Sequence, residues 1–464
     1  MASERSGTLM EGSLYESIAR GNKDTYFVSK TFQDAVNPFE TRYERRPGFV
    51  NELRRIVPLN GVDFGRSCEF EFDTAGELFL DATILIDLPT WLPPAAASMN
   101  SDWNNFIQTP SGTRYGYTRG IAYFLFSNIQ VYQDKILLQE ISGDALWASQ
   151  LSRGSLNSAW LTQNLSGQAG FDDDTTDLSR LATPGRLRLR IPIPGATHGL
   201  PSCSMNQQKF RLKLTLRTLE ECVESTDSSM LYPAPWREPL FQILDRTGGP
   251  TTTFTPLPRE LIGKPVIALE TRHVYMDPES REEYEDRKHE IPFSVLYENS
   301  YTFSGAADIT VTKDIDASHP ASRMFWFLRT RESLQRNRRW ATSSGPQNPY
   351  YRSATFLIAG RDREAAAGPI LWNTLVPFAK EERDPGFSVA EMNWDLGTGL
   401  AAKEHVPEGS INFSTAEKPV ISIFMRSPDV GDLFTAKTLE LTVVVDSWVL
   451  YTIEDDRGFT AFSN

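Results

Sequence analysis

Apolar and polar residues alternate along several segments of the chain, the pattern of a strand with one face on a core and one in solvent. The alternating apolar positions are Leu187, Leu189, Ile191 and Ile193, then Phe210, Leu212, Leu214 and Leu216, then Leu439, Leu441, Val443 and Val445. Clusters of Pro, Gly, Asn and Asp separate these and other β-rich segments. The sequence therefore predicts an all-β protein built from many strands and long loops.

Helical signals are few and short. The best follows Asp277, which is suited to the N-cap position, with Pro278 at the first helical residue and acidic residues in the first turn. A weaker candidate covers residues 142–153. Strands and helices do not alternate regularly, which argues against a Rossmann or TIM-type sheet.

The middle of the 464-residue chain has a different composition from the rest. Residues 226–258 are rich in Pro, Thr, Ser and Gly, and the strand pattern resumes at Lys264. We therefore expect an N-terminal arm over 1–24, one domain over 25–225, a linker over 226–263 and a second domain over 264–464. Roughly eight strand candidates per half fit two tandem eight-stranded jelly rolls, with short helices in the loops.

Composition narrows the function. The formal charge of −13 opposes broad contact with nucleic acid, which requires clustered Lys and Arg. No apolar run approaches the ~20 residues of a membrane span. The N-terminus lacks the basic-then-apolar order of a signal peptide, so we expect synthesis in the cytosol. Three cysteines do not make a disulfide framework, and none has zinc-ligand spacing.

Motifs for chemistry are weak. Residues 397–402 match the GxGxxA dinucleotide pattern in letters, but they lie in an irregular stretch and a loop is favoured. The acidic group Asp172, Asp173, Asp174 and Asp177 has no EF-hand spacing and is interpreted as an exposed loop. The five histidines are scattered. We predict no catalytic, cofactor-binding or metal-ligating residue, although two glycosidase acids far apart in sequence would leave no motif.

Two segments are rich in arginine. Residues 323–340 interleave basic and aromatic side chains, as single-strand nucleic-acid surfaces do. We favour a buried strand over 324–328 that runs into an arginine-rich loop, and a contact surface between copies is a third option. The second basic group, which invites the same interpretation, is Arg42, Arg45, Arg46, Arg54 and Arg55. Sequons at Asn164 and Asn412 are candidate glycosylation sites, but a chain without a secretory signal favours accidental matches.

Several segments together resemble one protein family. Residues 406–414 contain a P-x-G-x-x-N-F-S motif made of Pro407, Gly409, Asn412, Phe413 and Ser414. Two other segments match the same family in the same order. One is the strand and the start of a helix around Tyr275 and Asp277, and the other is a block that ends near Pro377. With three further segments, the matches run from about residue 20 to the C-terminus. They resemble the major capsid proteins of nucleocytoplasmic large DNA viruses.

The chain departs from the family pattern at two places. Tyr132-Gln133 stands where an early hairpin usually has Gly-Gly, and residues 415–417 replace the usual Arg-Ile-Asp. The branch within the family therefore stays open among iridovirus-, chlorovirus- and marseillevirus-like members, with size and loop lengths suiting the last best.

The resemblance implies a function. It implies a non-enzymatic capsid protein with a double jelly roll, whose homotrimers have a pseudo-hexagonal outline and tile an icosahedral shell. Implied partners are other copies of the chain, neighbouring trimers, minor capsid and penton proteins, and an inner membrane nearby, with no direct nucleic acid and no cofactor. The implied location is the virion, after assembly in the host cytoplasm. The basic group from Arg42 to Arg55 is expected on the inner side of the shell or at an interface.

Two alternatives remain at the level of the sequence. One is a scaffold or minor capsid protein with the same double jelly roll. The other is a carbohydrate-binding or carbohydrate-active β-sandwich protein, because jelly rolls support both functions and fold alone does not determine function.

Overall fold

The computed structural model describes residues 48–461, apart from gaps at 74–75, 101–104, 153–164, 166, 168–186, 196–198, 206–207, 246–249, 286, 306–307, 343–349, 382–388, 397–408 and 427–436. Within these residues the chain is dominated by strands, so the prediction of an all-β fold is confirmed.

The first half of the described chain contains fourteen strands. In chain order they are β1 (Phe49–Ile56), β2 (Ser67–Asp73), β3 (Leu78–Asp87), β4 (Asn105–Gln108), β5 (Tyr115–Tyr117), β6 (Phe126–Gln133), β7 (Ile136–Ile141), β8 (Leu187–Arg190), β9 (Leu200–Pro201), β10 (Lys209–Leu216), β11 (Val223–Ser225), β12 (Phe241–Asp245), β13 (Pro250–Phe254) and β14 (Val266–Met276).

The second half of the described chain contains ten strands. They are β15 (His289–Gly305), β16 (Thr310–Asp314), β17 (Pro320–Thr330), β18 (Tyr351–Ile358), β19 (Arg361–Ala367), β20 (Ala390–Asn393), β21 (Ile411–Asn412), β22 (Val420–Met425), β23 (Lys437–Glu454) and β24 (Arg457–Ala461). The alternating segments identified in the sequence lie in β8, β10 and β23.

Helices are short and lie between strands. The α-helices are α1 (Pro94–Asn100), α2 (Ile121–Phe124), α3 (Gly143–Ser152), α4 (Pro278–Glu285), α5 (Arg331–Gln335) and α6 (Val376–Glu381). A π-helix, Ile370–Leu375, leads into α6, and 3₁₀ turns occur at Ser202–Ser204, Leu219–Glu221, Pro235–Arg237 and Arg259–Leu261. Both helices expected from the sequence are present, as α3 and α4.

The two halves repeat one strand order. In the first, one sheet runs β1-β14-β3-β8 and the other β2-β10-β6-β7. In the second, one sheet runs β15-β23-β17-β20 and the other β16-β22-β18-β19. These two sheets together contain eight strands in each half, which can be numbered one to eight along the chain. In both halves one sheet then has the order 1, 8, 3, 6 and the other the order 2, 7, 4, 5. This repetition matches the double jelly-roll architecture expected from the sequence.

The last strand of the first set lies beyond the boundary expected at residue 264. β14 pairs with β1 on one side and with β3 on the other, so its hydrogen bonds place it in the first half. The segment expected to be a linker also contains β12 and β13, which form a small sheet with β4. Low periodicity over 226–258 therefore marks an insertion between the seventh and eighth strands. The domain boundaries as such stay a prediction.

Aromatic side chains join the two sheets of the first half. Phe72 of β2 lies 5.7 Å from Phe79 of β3 and 5.7 Å from Phe210 of β10, measured between ring centroids. All three are buried. Each occupies the inward position of an alternating strand, so the period-two pattern of the sequence directly produces this core.

The second half has its own core, centred on Trp326 of β17. Its ring centroid lies 6.2 Å from that of Tyr351 and 6.1 Å from that of Trp372. The neighbours of Trp326 in sequence, Phe325 and Phe327, belong instead to the core cluster of the first half. The sheet that contains β17 is therefore covered on both faces, which explains why nearly all of this strand is buried.

Candidate functional site: the signature turn and the junction of the halves

The signature motif forms a turn against the start of β17, where Asn412 of β21 pairs with Pro320. The side-chain oxygen of Asn412 accepts a hydrogen bond from the Ser414 backbone N–H at 3.0 Å. The Ser414 hydroxyl oxygen in turn accepts one from the backbone N–H of His319 at 2.8 Å. His319 has φ of 69°, which is uncommon for a residue other than glycine. The motif thus stabilises a strained turn at the entrance to β17.

Phe413 and Gly409 fix this turn from the other side. Phe413 is buried, with its ring centroid 5.9 Å from that of Phe356 and 6.1 Å from that of Trp394. A Cβ atom on Gly409 would lie 2.2 Å from the backbone oxygen of Trp394, a distance that no side chain can adopt. Pro407 lies outside the described residues. The described members of the motif have structural contacts that account for their identity.

The other residues that carry the family resemblance lie on different elements. The Tyr275 hydroxyl accepts a hydrogen bond from Arg54 Nη2 at 2.5 Å. The Asp277 carboxylate accepts one from the Ser280 backbone N–H at 2.8 Å, as an N-cap of α4 should. Pro377 is buried in α6. These residues support three separate local structures and are not gathered into one site.

Two members of the N-terminal basic group, Arg54 and Arg55, lie on β1. Arg55 Nη2 is 2.7 Å from Glu270 Oε1, and Arg188 Nη1 is 2.6 Å from Glu270 Oε2. Burial raises the pKa of Glu270, but the two arginines outweigh that effect, so its pKa lies below the usual range. Arg42, Arg45 and Arg46 lie outside the described residues, as does the sequon at Asn164. Inner-face contact and glycosylation, at Asn164 or at the exposed Asn412, stay predictions.

Two arginines of the segment 323–340, Arg323 and Arg329, are paired with acids within the protein. β17 is buried, which confirms the interpretation as a buried strand. Arg323 Nε lies 2.8 Å from Asp446 Oδ2, and both side chains are nearly inaccessible to solvent. Arg329 Nη2 lies 2.6 Å from Glu440 Oε1 of β23. These charges therefore face the protein interior and are not displayed to a nucleic acid.

Asp144 is the centre of a charged cluster at the junction of the two halves. It lies in the first turn of α3 and forms hydrogen-bonded ion pairs with Arg217 of the first half and Arg329 of the second. Arg339 Nη1 lies 3.7 Å from the same carboxylate. Burial would raise the pKa of Asp144, but the arginines hold it well below the usual range. Sequence reasoning missed this cluster, because its members are far apart in the chain.

A second set of polar contacts joins the loop after α5 to the first half. The Asn337 side-chain N–H₂ donates to the backbone oxygens of Glu220 and Val223, at 2.6 and 2.5 Å. Trp340 Nε1 donates to Glu224 Oε2 at 3.0 Å. Glu224 is buried, and burial raises its pKa. Because such buried groups require fixed partners, this loop is held against the first half at a single position.

At one edge of the junction, β7 and β15 border a groove of about 700 Å³. Its polar lining includes Asn128, Glu140, Glu298 and Ser300. The Glu298 carboxylate accepts a hydrogen bond from the backbone N–H of Ser142 at 3.1 Å. Burial raises the pKa of Glu298.

Other features that suggest a site are few in the described part of the chain. No group of three or more His, Cys, Asp or Glu residues there could hold a metal ion. No helix in these residues is long and apolar enough to span a membrane. Exposed apolar residues do occur, and the most exposed on β1 and on the helical segment around α6 are Phe49, Val50, Leu53, Ile370, Leu375 and Phe378.

No protein-family model and no curated protein sequence matches the chain. Solved structures do match it. A quasi-atomic model of the PBCV-1 virus capsid has a TM-score of 0.68 at 13% sequence identity, covering 92% of this chain and 100% of that chain. The crystal structure of PBCV-1 VP54, fitted into a reconstruction of the virophage Sputnik, has a TM-score of 0.68 at 12% identity with the same coverage.

The Faustovirus major capsid protein is similar as well, with a TM-score of 0.58 at 12% identity, covering 94% of this chain and 95% of that chain. These matches extend over both halves and leave little of either chain unaligned. The chain therefore has the fold of the major capsid proteins of large DNA viruses.

Proposed function

We propose that the chain is a structural major capsid protein, which forms the icosahedral shell of a large DNA virus. The observation that carries this proposal is the extent of the match to the PBCV-1 capsid protein, which covers 100% of that chain and 92% of this one. A single shared sandwich would fit many functions, whereas the alignment of both sandwiches over the whole of a capsid protein supports a capsid role.

The proposed building block is a homotrimer. Two similar sandwiches per chain give six in a ring of three, and six similar units produce a roughly hexagonal outline that can tile a shell. A ring of three uses one heterologous interface that closes on itself, so assembly stops at a compact block. Exposed apolar residues on β1 and around α6 provide surface for such contacts.

The same proposal includes the partners and the location. Trimers would contact neighbouring trimers, minor capsid proteins and penton proteins, with an inner membrane nearby. The protein would be found in the virion after assembly in the host cytoplasm. It would act without a cofactor and without catalysis, because its proposed role needs only contacts between proteins.

Light scattering over a dilution series of the purified chain tests the proposal. We expect a stable species of three times the 52.3 kDa chain mass, unchanged by a chelator and by moderate salt. A chain that stays monomeric at micromolar concentration would contradict the trimer and favour a protein that needs a partner to assemble. Counting copies per particle then separates a major shell protein from a scaffold or minor shell protein.

A further inference from the structure

The groove at the junction is bordered by two edge strands of different length. β7 has 6 residues and β15 has 17, and each is the terminal strand of its sheet. They meet where the Gln139 side chain bonds the backbone of Leu296. Because β7 is so much shorter, it borders only part of the length of β15.

The edge of β15 continues past this contact. Backbone groups of alternate residues in an edge strand point to the same side. Since the N–H and C=O of Leu296 point toward Gln139, those of Glu298 and Ser300 point the same way, along the groove. The side chains of Ser300, Thr302 and Ser304 are exposed. This stretch offers the hydrogen-bonding row to which an additional strand can pair.

The groove also contains two carboxylates, Glu140 and Glu298, that form no ion pair within the described residues. Glu140 Oε1 accepts hydrogen bonds from the side-chain amides of Asn128 and Gln130, at 2.7 and 2.8 Å. Glu298 accepts from the backbone N–H of Ser142. These donors are neutral. Within the described residues, no Lys, Arg or His nitrogen lies within 4.0 Å of either carboxylate.

Three of the buried carboxylates in the described residues differ in this respect, whereas the buried Glu224 also accepts hydrogen bonds only from neutral groups. Asp144, Glu270 and Asp446 each form an ion pair with at least one arginine. For the partly buried Glu298, the charge of Arg329, more than 4.0 Å away, lowers the pKa less than burial raises it, so the lost hydration is not fully compensated. Glu298, which is partly buried, therefore has the electrostatic character of one side of an interface whose basic side is supplied from elsewhere, and the exposed Glu140 adds a second negative charge at the rim of the groove.

We propose that this groove binds an extended, basic segment of a second protein. The segment would add as a strand to the edge of β15 over residues 298–304, and its Lys or Arg side chains would contact Glu298 and Glu140. The backbone pairing would provide affinity for any extended chain, and the two carboxylates would select basic ones. A volume of about 700 Å³ accommodates several residues of such a segment. This binding site goes beyond the proposed shell role and does not depend on it.

Fluorescence anisotropy with the full-length chain tests the proposal. The probe is a fluorescein-labelled decapeptide of alternating Lys and Val, and the comparison peptide alternates Glu and Val. We expect saturable binding of the Lys peptide, with affinity weakened about tenfold by Glu298→Gln, because one charge contact is lost. Ser300→Pro should weaken it as well, since proline removes a backbone N–H that faces the groove.

Matched controls make the outcomes distinct. Glu279→Gln removes the same charge on the exposed surface of α4 and should leave binding unchanged. Thermal melts verify that each variant is folded, and Glu298→Gln keeps an oxygen to accept from Ser142. The proposal is overturned if the Lys peptide does not bind, if the Glu peptide binds equally well, or if folded Glu298→Gln binds like the unsubstituted chain. A trimer that fails to bind the peptide would refute this site and leave the proposed function standing.

Discussion

The side chain of Gln139 on β7 bonds both backbone groups of Leu296 on β15. Its Nε2 donates to the Leu296 oxygen at 3.1 Å, and its Oε1 accepts from the Leu296 N–H at 3.2 Å. One amide side chain thus takes the place of a neighbouring strand at the point where the two halves meet. Both residues are buried, so neither water nor another side chain readily replaces the contact.

Replacing this amide should destabilise the protein. In Gln139→Ala, the N–H and C=O of Leu296 lose their partners while remaining buried, which costs about 1–3 kcal/mol. Urea unfolding measures the change. Gln130→Ala, which removes an amide hydrogen-bonded to Glu140 at the exposed surface, should change stability by less than about 0.5 kcal/mol. Equal effects of the two substitutions would show that the Leu296 contact has no special role.

Asp144 should be among the most sensitive positions in the chain. Asp144→Asn leaves Arg217 and Arg329 buried without their shared counter-charge, and breaking a buried ion pair on one side costs about 3–5 kcal/mol. Asp314→Asn, on the exposed face of β16, is the matched control and should be nearly neutral. Chemical denaturation of both variants tests this. A loss below about 1 kcal/mol at Asp144 would mean that the arginines readily find other partners.

The pH dependence of stability should report the buried Glu224. Burial raises its pKa above the ordinary value of 4.5, so the folded state holds the proton more tightly than the unfolded state does. The resulting stability is complete below pH 4.5 and is lost as the pH rises through the folded-state pKa. Glu224→Gln keeps an oxygen to accept from Trp340 but does not titrate.

The variant should therefore match the unsubstituted chain in urea unfolding at about pH 4 and become relatively more stable as the pH increases. A stability difference that is independent of pH would contradict a raised pKa at Glu224. Asp144→Asn provides the opposite case, because the pKa of Asp144 is lowered in the folded protein. Relative to the unsubstituted chain, Asp144→Asn should gain stability only in acid. The gain begins as the pH falls through the pKa of Asp144 in the unfolded chain and continues toward its lower pKa in the folded chain.

The signature glycine should not tolerate a side chain. A Cβ on Gly409 would lie 2.2 Å from the Trp394 backbone oxygen, so Gly409→Ala must displace backbone and should cost about 1–3 kcal/mol or more. Gly61→Ala is the control, because nothing lies within 4 Å of its Cβ position. Thermal unfolding of the two variants tests the difference. Similar melting temperatures would show that the turn can move away at little cost.

Local patterns in the sequence were enough to predict many of the elements. The alternation from Phe210 to Leu216 predicts β10, because a period of two has no other regular interpretation. Asp277 followed by Pro278 predicts the start of α4, because capping depends on neighbouring residues only.

Long-range relationships could not be predicted in this way. Asp144, Arg217 and Arg329 meet only because two sandwiches pack together, and nothing near any of them in sequence indicates the others. The segment 323–340 looked basic and aromatic partly for the same reason, since the acids that pair with Arg323 and Arg329 lie elsewhere in the chain. The insertion of β12 and β13 resembled a linker because its short strands pair with the distant β4.

The position of β14 also determines when the first half can be completed during translation. β14 lies between β1 and β3, yet it leaves the ribosome long after both of them. Until Met276 has emerged, the nascent chain carries two strand edges whose permanent neighbour has not been made. Such edges pair readily with other strands, and chains growing on the same messenger RNA hold identical ones close together. Newly made chains are therefore most exposed to pairing with one another until β14 has been synthesised.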